Sequence, residues 1–372
     1  MKIAFIINSL AGGGAERVVS TLSNYLVEHG HQITIILLEK NEIQYDLDKK
    51  IKIIVLKTSK ISKGIGKLIF IPLQAVELSL IIKKNKIDQS MSLLTRANLV
   101  FLFTKFFLDK DVIISQRNNA KKNYETKNIQ NIIMNFLIKK LYKKADKIIT
   151  VSSEIKDSLH KDYEIDISKI QVIYNPINNK SIQHKHTKEH IYKFEKDYKY
   201  FITIGRLIEL KDHKTMIKAF YIANHKYPNL KLIILGEGEL KNNIKMLIEE
   251  LNLKNKVILL GFVKNPFDYL KKADIFVFSS KYEGFPNVLV EAMACGLPVL
   301  STNCPSGPSE ILENGKYGIL TEVGNKKEIA KAMIDMLDKD THSYFQKQSL
   351  QRVKDFDVSI IAKKYLNTLI KA

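Results

Sequence analysis

The chain of 372 residues is long enough for about two domains of ordinary size. Hydrophobic residues make up 45% of it and charged residues 26%, which excludes a mainly disordered or fibrous chain, and two cysteines exclude a disulfide-built scaffold and favour a reducing compartment. The 59 Lys and Arg against 39 Asp and Glu give a formal charge of +20, which indicates an anionic partner: nucleic acid, a membrane surface or a phosphorylated substrate.

The first half of the chain alternates strands and helices. A buried strand is predicted at Lys2–Ile7, followed by the run Gly12-Gly13-Gly14, a helix over about 15–28 and a strand at Ile33–Leu38. This is one βαβ unit, which implies a parallel sheet. The alternation continues through strands predicted at Ile51–Leu56, Ser90–Leu94, Val112–Ser115, Lys147–Val151 and Ile170–Tyr174. The polar stretch 178–199 carries no strand pattern and is predicted to contain the linker.

Most of the positive charge lies within this first half. Residues 51–150 hold 20 Lys and Arg against 6 Asp and Glu, a net +14. In the stretches 59–86 and 121–147, lysines alternate with apolar residues at helical spacing. That pattern is typical of a core helix with a solvated lysine face or of a basic helix at an anionic surface. Because the two stretches share one third of the chain, we predict a membrane-binding patch of Lys60, Lys63, Lys67, Lys139, Lys140, Lys143 and Lys144.

The second half repeats the alternation. Strands are predicted at Tyr200–Ile204, Leu230–Leu235, Lys256–Leu260, Asp274–Phe278 and Pro298–Ser301, with helices between them. The fold class is therefore α/β, with two doubly wound, Rossmann-like domains and the site expected in a cleft between them. We predict an N-terminal domain over 1–185, a C-terminal domain over 186–355, and a terminal helix over 356–372 that crosses back to the first domain.

The segment after the strand Asp274–Phe278 carries the richest set of polar and turn residues. Pro286 suits the first turn of a helix, which is predicted to run from there to about Cys295. The amides at such a helix start form a ready anion site. A carboxylate would repel a phosphate, so Glu283 and Glu291 are expected to hydrogen-bond hydroxyl groups on either side of a diphosphate.

Other strand ends carry cations or glycines. Arg206 and Lys211 follow the strand Tyr200–Ile204 and offer a planar fork of donors and a point charge, a sensible pair for a diphosphate. Gly236 and Gly238, and the run 261–263, are expected to let a ligand approach the backbone. The run 12–14 resembles a phosphate loop but lacks the GxGxxG spacing. Asp-x-Asp occurs at four places, so it is treated as chance and no metal is predicted.

Taken together, the glycine loop with Glu16, Gly205-Arg206 with Lys211, and the pair Glu283/Glu291 resemble glycosyltransferase family 4, retaining enzymes of the GT-B fold. The pattern is especially similar to bacterial transferases that extend polyprenyl-diphosphate-linked oligosaccharides or O-antigen units, including the N-acetylgalactosamine transferases of N-glycosylation. The resemblance implies a UDP-sugar as co-substrate, an α-linked product, and transfer without a metal or other cofactor.

The resemblance also implies roles for individual residues. Arg206 and Lys211 would bind the diphosphate and Glu283 the donor sugar, and these three are the predicted catalytic residues. Glu291 would hold the ribose, and backbone around Val263 would read the base. The remaining predicted donor-binding residues are Gly13, Gly14, Gly205, Gly236, Gly238, Phe285, Pro286, Asn287, Val288 and Leu289.

The acceptor side departs from the family pattern. Many members carry a histidine near the end of the strand that matches Val112–Ser115, where this chain has Gln116-Arg117-Asn118. Arg117 is therefore expected to contact an acceptor phosphate, and the predicted acceptor-binding residues are Arg96, Arg117 and Asn118. The lysine patch would meet the lipid diphosphate or the membrane.

The predicted function is retaining transfer of an N-acetylhexosamine or hexose from a UDP-sugar to a polyprenyl-diphosphate-linked or other glycan acceptor. The longest apolar stretches are broken by proline or charge before they could span a bilayer, so a cytoplasmic protein at the inner membrane surface is expected. The main alternative is a basic nucleic-acid-binding α/β protein, which the charge supports, but no recognition motif accompanies it and no nucleic acid is expected. An NAD-linked oxidoreductase would need a dinucleotide fingerprint, which this sequence does not have.

Overall fold

The structure is a computed structural model that describes residues 1–60, 66–126, 128–179, 182 and 192–370. The strands, in chain order, are β1 Lys2–Ile7, β2 Gln32–Leu37, β3 Lys52–Val55, β4 Gln89–Leu93, β5 Ile113–Gln116, β6 Lys147–Thr150, β7 Ile170–Val172, β8 Lys199–Ile204, β9 Leu230–Leu235, β10 Val257–Gly261, β11 Ile275–Phe278, β12 Val299–Thr302 and β13 Ile319–Thr321. The helices are α1 Gly14–Glu28, α2 Gly66–Ile69, α3 Ile71–Lys84, α4 Thr95–Phe103, α5 Ala120–Asn123, α6 Ile129–Leu141, α7 Ser153–Tyr163, α8 His213–Lys226, α9 Lys241–Glu250, α10 Phe267–Leu270, α11 Asn287–Ala294, α12 Pro308–Ile311, α13 Lys326–Asp335, α14 Lys339–Arg352 and α15 Val358–Ile370.

The chain divides into two compact units. The first consists of Met1–Pro176 and Val358–Ala372, and the second of Ile177–Asp357. The division thus falls at 176/177 and 357/358, where the sequence predicted 185/186 and 355/356. The last helix, α15, belongs to the first unit.

Each unit contains one parallel sheet. The strand order is β3-β2-β1-β4-β5-β6-β7 in the first and β10-β9-β8-β11-β12-β13 in the second. The predicted α/β class with two doubly wound halves is confirmed. In both sheets the order reverses beside the first strand, between β1 and β4 and between β8 and β11, and the carboxyl ends of strands at such a switch point are where ligands bind.

The apolar strand sequences follow from burial on both faces. In β1, Ala4 and Ile6 pack into one core and Ile3, Phe5 and Ile7 into the other, because side chains alternate along a strand. Because helices cover both faces of the sheet, the side chains on both faces are buried. The strand sequence is therefore a continuous apolar run and does not alternate between apolar and polar residues. The core that contains Phe5 also takes Tyr365 of α15. No helix in the described ranges is both long and apolar enough to cross a membrane.

Candidate active site

Lys211 and Glu283 meet at the carboxyl ends of β8 and β11. Lys211 lies in a short turn after β8, and its Nζ is 2.5 Å from Oε1 of Glu283, which follows β11. Their side chains are only 17% and 13% exposed. The backbone that carries the lysine is anchored to the neighbouring strand end, because Ser279 Oγ donates to its carbonyl oxygen at 2.8 Å. The fold therefore places a held cation and a carboxylate at the switch point of the second sheet.

Arg206 lies one residue beyond Gly205 on the same strand end. Its side chain is exposed, and no ion pair to its guanidinium occurs within the part of the chain that the structure describes. The stem of Lys211 passes beside Gly205, since a Cβ added there would lie 3.5 Å from the lysine Cδ. Both predicted diphosphate ligands thus border the same glycine, one exposed and one held in an ion pair.

Helix α11 begins at Asn287, next to the predicted Pro286. Proline has no side-chain acceptor, so the N-cap residue itself does not close the helix start. The loop of Gly307 packs against it, because a Cβ on Gly307 would lie 2.6 Å from Pro286 Cδ. The Phe285 ring packs edge-on against Phe356 at a centroid distance of 5.7 Å. These contacts fix the strand–loop–helix segment that carries Glu283, with Asn287, Val288 and Leu289 in the first turn of the helix.

Glu291 and Val263 occupy different surroundings. Glu291 lies within α11 and is buried, whereas Val263 is half-buried in the loop that follows β10. Their predicted roles toward ribose and base stay predictions.

Gly236 and Gly238 allow the loop after β9 to pack closely against the loop after β8. A Cβ on Gly236 would overlap the carbonyl oxygen of Gly205, and one on Gly238 would overlap that of Leu207. The amide of Leu207 also donates to the carbonyl oxygen of Glu237 at 2.9 Å. The backbone of Gly205 and Leu207, on either side of Arg206, therefore fills the space where side chains at Gly236 and Gly238 would be. The predicted contact of the two glycines with the donor stays a prediction.

The glycine loop of the first unit holds a carboxylate. Gly13 is the N-cap of α1, and a Cβ there would overlap Oε2 of Glu16, a residue of the first turn. Ser9 Oγ donates to Oε1 of Glu16 at 3.3 Å, and Tyr45 Oη donates to the Gly13 carbonyl oxygen at 2.6 Å. Burial raises the pKa of Glu16. The Glu16 carboxylate therefore lies against Gly13. The predicted donor contacts of Gly13 and Gly14 stay predictions.

Arg96 and Arg117, predicted to bind the acceptor, make internal contacts. Arg96 forms an ion pair with Glu39, and burial lowers its pKa. Arg117 is buried: its Nη1 donates to Tyr365 Oη at 2.9 Å, and its Nη2 donates to Asn175 Oδ1. A buried guanidinium requires such partners, so Arg117 ties the end of β5 to α15, and its acceptor role stays a prediction.

Gln116, at the position where the family resemblance implies a histidine, belongs to a buried polar network. Its Oε1 accepts a hydrogen bond from Tyr142 Oη at 2.7 Å, and its Nε2 donates to Oδ1 of Asn118 at 2.9 Å. Asn98 Nδ2 lies 3.0 Å from the same tyrosine hydroxyl. Burial raises the pKa of Tyr142, so it stays a neutral donor. The network holds the Asn118 side chain in place, and its predicted acceptor role stays a prediction.

The predicted lysine patch is partly neutralised. Lys139 and Lys143 reach the two carboxylate oxygens of Glu164 at 2.5 and 3.1 Å. Lys144 lies over the Phe106 ring, 4.4 Å from its centroid, and Lys140 is exposed at the end of α6. Lys63 and the side chains of Lys60 and Lys67 lie outside the part of the chain that is described.

Exposed apolar side chains accompany these lysines. Helices α3 and α6 both pack on α4, and each turns an apolar stripe with helical spacing outward. We call the exposed apolar residues of this region the apolar face; they are Leu73, Val76 and Leu80 of α3, Ile129, Ile132, Ile133 and Phe136 of α6, and Phe106 and Phe107, which follow α4. On both helices the stripe ends in lysines, Lys83 and Lys84 on α3 and Lys139 and Lys140 on α6.

His213, the first residue of α8, borders the site but was not among the predicted site residues. It is 3% exposed, and its Cε1 lies 3.7 Å from the Cβ that Gly205 lacks. The signal was its spacing: His213, Met216, Ile217 and Phe220 form one buried stripe of α8. A polar residue on an apolar stripe, two positions after Lys211, is the sequence signal for a side chain at this strand end.

Comparison with known proteins agrees with this geometry. Residues 185–352 match the family described as Glycosyl transferases group 1, and residues 12–180 match Glycosyltransferase Family 4. The chain is 34% identical to the N-acetylgalactosamine-N,N'-diacetylbacillosaminyl-diphospho-undecaprenol 4-alpha-N-acetylgalactosaminyltransferase of Campylobacter jejuni, over 99% of both chains. It is 26% identical to that organism's GalNAc-alpha-(1->4)-GalNAc-alpha-(1->3)-diNAcBac-PP-undecaprenol alpha-1,4-N-acetyl-D-galactosaminyltransferase, over 99% and 98% of the two chains.

The fold is also that of solved structures. Anabaena HepE, crystallised with UDP, matches over 100% of both chains with a TM-score of 0.80 and 18% identity, which speaks for the fold alone. The relative at 34% identity spans nearly the whole chain. The chain therefore belongs to the family 4 glycosyltransferases, and its two parallel-sheet units have the GT-B architecture.

Proposed function

We propose that this glycosyltransferase is a retaining enzyme that moves an N-acetylhexosamine or hexose from a UDP-sugar to a polyprenyl-diphosphate-linked acceptor. It would act in the assembly of a bacterial surface polysaccharide or glycoprotein glycan. The observation that carries the proposal is the pair Lys211–Glu283 beside Gly205 and Arg206, a cation set at the switch point of the second sheet. The names of the two Campylobacter relatives, which specify diphosphate-linked undecaprenol acceptors and alpha products, support the acceptor class and the stereochemistry.

Departure of the diphosphate is the step in which the protein must stabilise the most charge. When the bond from the sugar C1 to the diphosphate oxygen breaks, negative charge develops on the diphosphate. Arg206 offers an exposed fork of donors, Lys211 an ammonium, and the first turn of α11 the positive end of a helix dipole. Fixed groups of this kind stabilise developing charge without reorganisation, so the proposed transfer requires no metal.

Glu283 has two successive tasks in this scheme. Before the donor arrives, it holds the Lys211 ammonium in place at 2.5 Å. When the diphosphate attracts the ammonium, the carboxylate is released to accept a hydrogen bond from a sugar hydroxyl. The acceptor hydroxyl attacks C1 on the face from which the diphosphate leaves, the glycosidic bond forms, and the hydroxyl proton passes to the departing phosphate oxygen. The α configuration of the nucleotide sugar is thereby kept.

The apolar face is the proposed contact with the membrane that carries the acceptor. Most of its exposed apolar side chains lie on the two helices that end in lysines, an arrangement suited to lying in the headgroup region of an anionic bilayer. The protein would thus bind peripherally at the cytoplasmic side of the inner membrane, with its acceptor supplied from the same surface.

A donor screen tests the transfer. Isotope-labelled UDP-sugars are offered with an undecaprenyl-diphosphate-linked saccharide, and the anomeric configuration of the product is read by NMR. We expect one UDP-sugar to be transferred with retention, and activity to survive EDTA. An inverted product, or loss of activity with EDTA that Mn²⁺ or Mg²⁺ restores, would contradict the mechanism.

Vesicle binding tests the membrane contact. Phe136→Asp and Ile132→Asp place charge on the apolar face, and we expect both to abolish sedimentation with anionic vesicles. The matched control is Met246→Asp, which changes an exposed apolar residue on α9 of the second unit and should bind as the wild type does. Equal sedimentation of all three variants would reject this surface.

A further inference from the structure

The buried imidazole of His213 borders the strand end that carries the cations. Its Cε1 lies 3.7 Å from the missing Cβ of Gly205, and the stem of Lys211 lies 3.5 Å from the same point. Because Cε1 is bonded to both ring nitrogens, the edge of the ring that carries them faces Gly205. The ring and the lysine stem therefore converge on the same backbone position.

One nitrogen of this ring has no hydrogen-bond partner. Nδ1 is buried, and no polar atom of the described residues bonds to it. Buried polar atoms in native proteins nearly always have a partner, so an orphan beside a strand end calls for one that comes from outside the chain. Helix α8 begins at this residue, and its N-cap, Asp212, uses its side chain to accept from the amide of Thr215 and not from the ring.

We propose that His213 binds the donor diphosphate, with Nδ1–H donating a hydrogen bond to a phosphoryl oxygen that Lys211 and Arg206 also contact. The inference rests on the proposed function in so far as the donor is a nucleoside diphosphate sugar. A neutral imidazole carries a single N–H, which gives a directed contact, whereas the lysine supplies charge without direction.

The electrostatics of the site suit a neutral donor. Burial lowers the pKa of His213 to about 4, and the charge of Lys211 adds to the effect. The ring is thus uncharged at physiological pH and adds no repulsion next to the ammonium. It can donate to an anion without a change in its own protonation.

Three variants separate this role from simple packing. His213→Leu removes both nitrogens, whereas His213→Asn keeps an amide nitrogen at the same number of bonds from Cβ as Nδ1. The control is His342→Leu on α14, a half-buried histidine of the same unit whose Nε2 lies 3.1 Å from the Asp274 carbonyl oxygen. Calorimetry measures the affinity of each protein for UDP, GDP and ADP and for the parent nucleosides.

We expect His213→Leu to weaken the preferred diphosphate on the order of ten- to a hundredfold, the loss of a hydrogen bond to a charged group. The affinity for the parent nucleoside should change less than twofold, and His213→Asn should regain most of the loss. His342→Leu should bind as the wild type does. Equal diphosphate affinity in His213→Leu and the wild type would overturn the inference.

An NMR measurement on the wild-type protein tests the same contact even if His213→Leu fails to fold. In protein labelled with ¹⁵N-histidine, the side-chain signal that disappears in His213→Asn belongs to His213, and it should shift when the preferred diphosphate saturates the site. An unmoved signal in the saturated protein overturns the inference. Preference for GDP or ADP over UDP would refute the proposed donor while a shifted signal still supports the histidine contact. Binding of no diphosphate at all would overturn both.

Discussion

Breaking the Lys211–Glu283 ion pair should cost stability because its charges are mostly withdrawn from water. The side chains are 17% and 13% exposed and their atoms are 2.5 Å apart. Lys211→Met leaves the Glu283 carboxylate without its cation, and Glu283→Gln leaves the ammonium without its anion. For fully buried pairs, the loss of one partner costs about 3–5 kcal/mol, and the residual exposure here lowers the expected cost to about 2–3 kcal/mol.

The double variant Lys211→Met/Glu283→Gln isolates the interaction. Once both charges are gone, neither is stranded, so the double variant should lose less stability than the sum of the single losses, with a coupling of about 1–3 kcal/mol. Urea unfolding followed by circular dichroism gives the free energies. The matched control is the pair Lys281–Glu209, which has a similar distance of 2.6 Å but side chains 40% and 63% exposed. Its coupling should stay below about 1 kcal/mol.

The same variants probe the proposed chemistry. Lys211→Met should slow transfer by about 10²–10³-fold, since the loss of a charge-assisted contact to the leaving group raises the barrier by about 2–4 kcal/mol. Lys281→Met should leave the rate unchanged. Couplings of equal size in the two pairs would refute the argument from burial, and near-wild-type turnover in Lys211→Met would refute the role in the leaving-group step.

Three further predictions follow from the described contacts. Gly236→Ala should destabilise the protein by more than about 2 kcal/mol in urea unfolding, because the new methyl group overlaps the Gly205 carbonyl oxygen. Arg117→Met should cost about 2–4 kcal/mol in the same assay, since Tyr365 and its other buried partners lose their donors. Because the pKa of His213 is lowered to about 4 from an unfolded value of 6.5, the unfolded state takes up the proton first, and stability should fall by about 3 kcal/mol as the pH drops from 7 to 4.

Each of these predictions has its own control. Gly30→Ala meets no atom within 4 Å but lies at a φ of +82°, so it should cost only about 1 kcal/mol. Arg206→Met removes an exposed arginine and should leave stability within about 0.5 kcal/mol of the wild type. In His213→Leu, the free energy of unfolding should fall less between pH 7 and pH 4 than in the wild type. The charged neighbours Lys211 and Asp212 are unchanged in this variant. A pH dependence identical in the two proteins would contradict the assignment to His213.

Local sequence signals were enough for most of the fold. Strands buried on both faces read as unbroken apolar runs, and β1 and β9 match the predicted ranges Lys2–Ile7 and Leu230–Leu235. Pro286, whose missing N–H is tolerated only at a helix start, predicted the beginning of α11 to within one residue. No strand was predicted at β13, a three-residue strand at the edge of its sheet that is only partly buried and so lacks a long apolar run.

What the sequence could not supply is the direction in which a side chain points once the chain has folded. The sequence did not show that the carbonyl groups of Gly205 and Leu207, some thirty residues earlier, lie where side chains at Gly236 and Gly238 would be. Nor did it show that α15 brings Tyr365, 248 residues away in the chain, into contact with Arg117. Such pairings depend on tertiary contacts that no local pattern encodes.

Ion pairs reduce the number of lysines that are free to meet a membrane. A count of lysines treats each as free, but Glu164, at the left-handed C-cap of α7, takes both Lys139 and Lys143. A lysine near an anionic surface contributes about 1 kcal/mol, and only within a Debye length, whereas burial of one large apolar side chain contributes about 1.5–3 kcal/mol. With several such side chains on the apolar face and part of the charge already paired, the apolar term should dominate, and vesicle binding should weaken only gradually as salt rises. The lysines would then orient the protein on the bilayer, and the exposed isoleucine and phenylalanine side chains would hold it there.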